Sequence, residues 1–256
     1  MNRRSAILVV VGLVILAAAA YAAVAVGIRD GRMLTEPGWP VALWSGNDGL
    51  MAEVIRHLRL PRCAAALLAG TALAVSGLLL QGITRNPLAD PFLLGISGGA
   101  GLSLVIVNAF PFLTDLFGWW ILPAAAFAGA QGATLLVLFL ARGTGGKVSV
   151  MGLVLAGVII NAFCAALMTF LVMQFEPLRM KATSIWLAGG IGYFRWNNLA
   201  LAAALIGFGL IYTRLQAASL NAFTLGEEGA ALVGVDATAV LYRSTWVASI
   251  LAGTAV

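Results

Sequence analysis

Charge is what this sequence has least of. Of 256 residues only 10% are Asp, Glu, Lys or Arg, against 61% hydrophobic, where a soluble domain of this size carries roughly a quarter charged residues. The solvent for most of this chain is therefore lipid. Histidine occurs once, at His57, and cysteine twice, at Cys63 and Cys164. Both cysteines lie in apolar runs without any CxxC or Cys/His spacing, which excludes a zinc or redox centre and leaves them as small packing residues. A single histidine outside the apolar runs cannot supply a Ser/His or metal constellation for intramembrane hydrolysis, so neither an enzyme nor a metal site is expected. The net charge of +5 does not point to nucleic acid, because the cations sit beside apolar runs and are not gathered with aromatics on a soluble domain.

What is present is a series of runs long enough to cross a hydrocarbon core of about 30 Å. Arg3 and Arg4 precede the first, residues 6–28. Ala20-Tyr21-Ala22 resembles a signal-peptidase site, but a signal h-region is only about 7 to 15 residues long, so this run reads as an uncleaved span. Further runs cover residues 63–83, 93–112, 119–141, 148–173 and 199–212, and a seventh begins near Ser244. The expected architecture is an all-α polytopic bundle in one transmembrane domain, residues 1–256, with six full spans and the start of a seventh.

From an inside N-terminus, Arg85, Arg142, Lys147, Arg214 and Arg243 face the cytoplasm with Arg3 and Arg4, as the positive-inside rule prefers. Eight other cations, Arg29, Arg32, Arg56, Arg59, Arg62, Arg179, Lys181 and Arg195, fall outside. That exception asks for a cause. The segment 185–192, IWLAGGIG, is too short to span and is expected as a re-entrant or interfacial piece. The 13 residues from Ser244 onward would make a helix of about 20 Å, short of the hydrocarbon thickness. Leu68-Ala69-Gly70-Thr71-Ala72 recurs as Leu251-Ala252-Gly253-Thr254-Ala255, and the span count runs the copies in opposite directions, the pattern of an inverted-topology repeat. The second repeat is expected to be incomplete.

None of the central runs carries an ionisable residue between its ends, which argues against ion-coupled transport. The chain has no nucleotide site either. Gly145-Gly146-Lys147 is followed by Val148, and Ala141 stands where a phosphate loop needs glycine. Energy is expected from a separate subunit.

Residues 59–102 contain Arg59-Leu60-Pro61-Arg62, Ser76-Gly77, Gln81, Arg85-Asn86-Pro87-Leu88-Ala89, Pro91, Leu94-Gly95 and Gly99-Ala100. With LVLAGVIIN at 153–161 and SLNAFTLGEEGAALVGV at 219–235, this resembles the FecCD family of ABC importer permeases, whose members import siderophore-bound iron, haem or cobalamin. The resemblance implies a permease in the bacterial inner membrane, acting as a dimer with a second permease copy or homologue. The partners implied are ABC ATPase subunits, which bind the ATP and magnesium, and a periplasmic or surface-anchored binding protein. No cofactor is expected in this chain. The family has about ten spans, and the segments resembling the last three are absent here.

Within that resemblance, Pro61 suits a first helical turn, Asn86-Pro87 ends a span, Pro91 follows in the same turn, and Gly95 and Gly99 form a small-xxx-small pair for close helix approach. Arg59 and Arg62, with Arg56, match positions that receive acidic residues of the binding protein; contact with lipid phosphates is the alternative. Leu220, Asn221, Leu225, Gly226, Glu227, Glu228 and Gly229 lie in the segment that couples to the ATPase in the family, with Leu220, Phe223, Leu225 and Leu232 as apolar contacts; a plain solvated loop is the alternative. The resemblance implies a cytoplasmic gate at Ser149, Val150 and Met151; cobalamin permeases have small hydroxyl residues there, and this chain has Val150 and Met151 in their place, which leaves the ligand open. Competing readings are a non-transporting remnant of such a permease and an ion channel.

The span count fixes a labelling pattern. In whole cells a cysteine placed at Lys147 is expected to be protected from an impermeant outside reagent and one at Gln174 to be labelled; the reverse would sink the topology.

Overall fold

In lipid the backbone must bond to itself, so apolar runs become helices. The computed structural model describes residues 3–29, 32–35, 50–142, 148–174, 189 and 196–256. Their contacts fall into two compact units, residues 1–67 with 191–200 and residues 68–190 with 201–256. Of the expected interfacial segment 185–192, only Gly189 is among the described residues.

In the first unit, α1 (Arg3–Ala25) is the first apolar run. Ile7, Leu8, Val9, Val10, Val11, Leu13 and Val14 along it are all exposed, as suits a helix surrounded by lipid. Two short strands follow, β1 (Val26–Arg29) and β2 (Arg32–Thr35), paired antiparallel with Val26 opposite Thr35 and Arg29 opposite Arg32. The all-helical expectation did not include this hairpin. Asp30-Gly31 between its strands is a strong sequence signal for a two-residue turn.

Helix α2 (Leu50–Val54) runs through a π-helical turn, Ile55–Arg59, into α3 (Leu60–Thr84). Pro61 therefore does not start a helix, as its sequence position suggested. A proline inside a helix cannot donate to the ladder. The ladder widens just before it, where the Leu60 N–H bonds the Ile55 carbonyl five residues back.

The second unit contains the rest of α3. A 3-10 turn at Pro91–Leu94 and α4 (Ile96–Ala109) follow. After them come α5 (Pro111–Phe117), a 3-10 turn at Gly118–Trp120, and α6 (Ile121–Leu140). The chain continues through α7 (Val150–Gln174), α8 (Trp196–Leu215), α9 (Ala217–Phe223), α10 (Glu227–Leu232) and α11 (Ala237–Ala255).

Among the described residues, five helical stretches are long and apolar enough to cross a membrane: residues 5–25, residues 52–84, α6, α7 and α8. The third expected span, 93–112, is not one continuous helix. Asp90 caps the 3-10 turn by accepting from Leu93 N at 3.1 Å, Pro91 opens it, and Gly95 turns left-handed at φ 73° before α4 begins. The 14 residues of α4 then rise only about 21 Å. The last helix also differs from expectation. It starts at Ala237 rather than Ser244, with Asp236 accepting from Ala239 N at 3.0 Å as its cap. Its 19 residues reach about 28 Å, with Arg243 inside the helix and not at its border.

Two sequence motifs prove to be one packing device. The 3-10 turn lies directly on α7: a Cβ on Gly157 would overlap the Leu93 carbonyl, and the Asn161 amide donates to the Phe92 carbonyl at 2.5 Å. One turn further along, Gly99 of α4 meets Gly129 and Ala133 of α6 so closely that a Cβ would overlap the Gly129 carbonyl. Buried polar bonds hold α11 in place: Ser76 donates to the Ala248 carbonyl at 2.7 Å, and Ser249 shares a 2.6 Å hydroxyl contact with Thr134 and lies 3.2 Å from the Gln131 amide. Such side-chain bonds between helices in lipid contribute roughly 0.6–2 kcal/mol each.

Gly99→Val and Gly157→Val are each expected to lower stability by about 1–3 kcal/mol or more through overpacking. Gly70, with nothing within 4 Å of a Cβ, is the control. Thermal unfolding of the purified protein in detergent checks this, and equal effects at all three sites would contradict the packing assignment.

Candidate functional site

Between α8 and α11 the sequence turns too polar to span and too apolar to be a solvated loop. The Gln216 N–H still bonds the Tyr212 carbonyl at 2.9 Å, so α8 passes into α9 with little interruption. Leu220 is buried and reaches toward α3, 3.8 Å from where a Cβ on Gly82 would stand, and Phe223 is 0% exposed. Thr224 closes α9, both its N–H and its hydroxyl donating to the Asn221 carbonyl. Gly226 then adopts φ 99° and starts α10, whose first turn carries Glu227 and Glu228. Carboxylates there are favoured by the helix dipole. Gly229 packs beside Leu225.

The four apolar side chains expected to face a partner therefore divide. Leu220 and Phe223 point into the protein and mount the segment on the bundle, which corrects their reading as partner contacts. Leu225 is 66% exposed and Leu232 89%, with Val233 exposed beside it. Asn221, Glu227 and Glu228 are exposed as well.

The turn after α3 is built from its own polar groups. Asn86 Oδ1 accepts from Leu88 N at 2.9 Å, the Ala89 N–H bonds the Asn86 carbonyl, and Gln81 donates to the Pro87 carbonyl at 3.0 Å. Arg85 just before it has φ 53°, a left-handed conformation costing a non-glycine residue roughly 1–2 kcal/mol. At the start of α7, Ser149 serves as a helix cap: its Oγ accepts from Gly152 N and its carbonyl from Leu153 N, each at 3.0 Å. Val150 is half-buried and Met151 is 77% exposed.

Of the arginines expected outside, Arg59 is engaged within the chain. Its Nη1 donates to the Val24 carbonyl at 2.9 Å. The last turn of α1 has no basic residue of its own, and its final carbonyls lack helical partners. Arg59 thus supplies the cation that favours this helix end. Cys63, one turn further along, lies 3.8 Å from the Ala20 carbonyl. Arg56 is half-buried and Arg62 exposed.

Residue-by-residue reading missed the contacts made by Ser76, Gly157 and Asn161, although all three stand in the quoted motifs. An apolar run with a lone small or polar residue was the available signal, and it does not name the partner.

The apolar helices, bonded to each other through glycines and a few buried polar groups, define a multi-pass membrane protein. The profile described as the FecCD transport family matches residues 7–256, and the chain belongs to that family. It is 38% identical over 217 residues to the hemin transport system permease protein HmuU of Yersinia pestis, covering 84% of this chain and 64% of that one. It is 36% identical over 203 residues to the vitamin B12 import system permease protein BtuC of Serratia proteamaculans, covering 77% and 57%. To the Fe(3+)-citrate import system permease protein YfmE of Bacillus subtilis it is 33% identical over 234 residues, covering 90% and 68%. The chain thus spans less than two thirds of the length of the first two of these relatives. Among solved structures, an inward-facing one assigned to the metal-chelate type of ABC transporter superposes with a TM-score of 0.75 at 23% identity, over 95% of this chain and 71% of that one. That likeness establishes the helical fold.

Arg59→Ala is expected to destabilise the protein by about 1–2 kcal/mol, because a charge-assisted bond to a helix end is lost. Arg62→Ala should change stability by less than about 0.5 kcal/mol. Thermal unfolding of the two variants tests this, and equal losses would remove the distinction between them.

Proposed function

We propose that the chain is the membrane-spanning permease part of an ABC importer in the bacterial inner membrane, moving an iron chelate such as a siderophore or haem, or a related metal-containing ligand. The relatives named for hemin, vitamin B12 and Fe(3+)-citrate support this substrate class. A chain without ionisable groups in its central runs or a phosphate loop needs an energy source outside itself. In this reading ATP and magnesium are bound by a partner ATPase pair, a second permease copy completes the dimer, and a soluble binding protein delivers the ligand.

The observation that carries the reading is the division of apolar side chains in α9 and α10. Leu220 and Phe223 fix the segment to the bundle, and Leu225 and Leu232 are left exposed beside two carboxylates. This is the form of a mounted contact surface, and the ATPase is its assigned partner. Ser149, Val150 and Met151 form the gate on the same face in this proposal, with Ser149 limited by its capping bonds. Arg62 is the foremost docking residue for the binding protein, and Arg59 contributes chiefly by holding α1.

In the full-length protein, Leu225→Asp with Leu232→Asp is expected to leave thermal stability unchanged while abolishing co-purification with the ATPase. Arg62→Glu should slow association of the purified binding protein by about tenfold in low salt, since rim charges act mainly on encounter rate. Undiminished ATPase capture together with a wild-type association rate and salt dependence would overturn the reading.

A further inference from the structure

The position directly after a helix, where the backbone turns left-handed, is ordinarily filled by glycine or asparagine, because any other side chain brings its Cβ against the following carbonyl. After α3 that position is filled by Arg85, at φ 53°. A backbone outlier of this kind asks what the side chain gains.

The Arg85 guanidinium lies over Gly226. A Cβ on Gly226 would stand 3.2 Å from Arg85 Nη1 and 4.0 Å from its Cζ. Gly226 is itself left-handed, at φ 99°, and its carbonyl accepts the first turn-closing bond of α10, from Ala230 N at 2.9 Å. The direction in which α10 leaves is therefore set at the residue the arginine covers. A second contact lies on the other side of the corner, where Leu220 of α9 approaches Gly82 of α3. The end of α3 thus lies close to the α9–α10 corner at two places, Gly82 beside the Leu220 side chain and the Arg85 guanidinium beside Gly226. A cation before a helix N-terminus is disfavoured by the helix dipole, and Glu227 and Glu228 in the first turn offset it.

We propose that Arg85 is a positioning residue for α10: its side chain holds Gly226 and ties the segment to the end of α3 and to the broken 3-10 turn and α4 that follow. Displacement of α10 is then passed to the packed backbone of the bundle. The transport consequence rests on the coupling role given above to α9 and α10; the positioning itself does not.

The test uses the full-length permease carrying Arg85→Gly, which keeps the left-handed backbone and removes the side chain. A residue needed only for stability would lower the unfolding temperature; here it is expected to stay level or rise, because the backbone strain is relieved. Amide exchange in 227–232, followed by mass spectrometry on the permease alone, is expected to quicken by about tenfold as the helix loses its hold. Wild-type exchange there would overturn the positioning role. With the ATPase and binding protein present, more ATP should be hydrolysed per ligand moved. If exchange quickens while that ratio stays at its wild-type value, the coupling role of α10 fails and the positioning role stands.

Discussion

The second unit depends on backbone packing against backbone at the break between α3 and α4. Interrupting a helix in lipid exposes carbonyl and amide groups that water cannot reach, so the break persists only where neighbours supply partners. Here α7 supplies them. Gly157 lets the Leu93 carbonyl approach, and Asn161 donates to the Phe92 carbonyl next to it. Gly99 and Gly129 do the same for α4 and α6. Lipid tails are as apolar as leucine, so helix association gains little from burying leucines and must come from close contact and interhelical bonds. Alanine and glycine at these positions are the source of cohesion.

On that frame the α9–α10 segment has two faces of different use. Phe223 and Leu220 are committed to the bundle, and their burial makes the segment a fixed projection. Leu225, Leu232 and Val233 remain outside. A loop mounted this way can pass a displacement inward, because packed interiors resist compression and carry strain. The exposed leucines next to Glu227 and Glu228 give the surface both an apolar centre and a charged rim.

The arginines at 59 and 62 look alike in sequence and differ in structure. Arg59 and Arg62 are three residues apart on one helix, yet Arg59 bonds the end of α1 and Arg62 does not. The difference arises from α1 ending beside Arg59, with no basic residue in its own last turn to meet its final carbonyls. A cation placed against orientation preference can thus have an internal cause as well as an external one.

The sequence by itself determined the solvent, the helical class and the family. These follow from the apolar runs, the scarcity of charge and the motifs around Asn86-Pro87, and each is a property of local composition or of residues close in the chain. It also placed the polar segment after α8, because that stretch is too charged to cross lipid. The hairpin was legible in Asp30-Gly31, and the start of α11 in Asp236. What only the tertiary structure decided was which of several similar residues is used from within. Leu220 and Leu225, Arg59 and Arg62, Gly70 and Gly157 are pairs of one residue type in comparable sequence settings, and they part because a distant helix lies against one and not the other. The break at Gly95 belongs to the same group: its cost is local, but the groups that offset it stand on α7, more than sixty residues away in the chain.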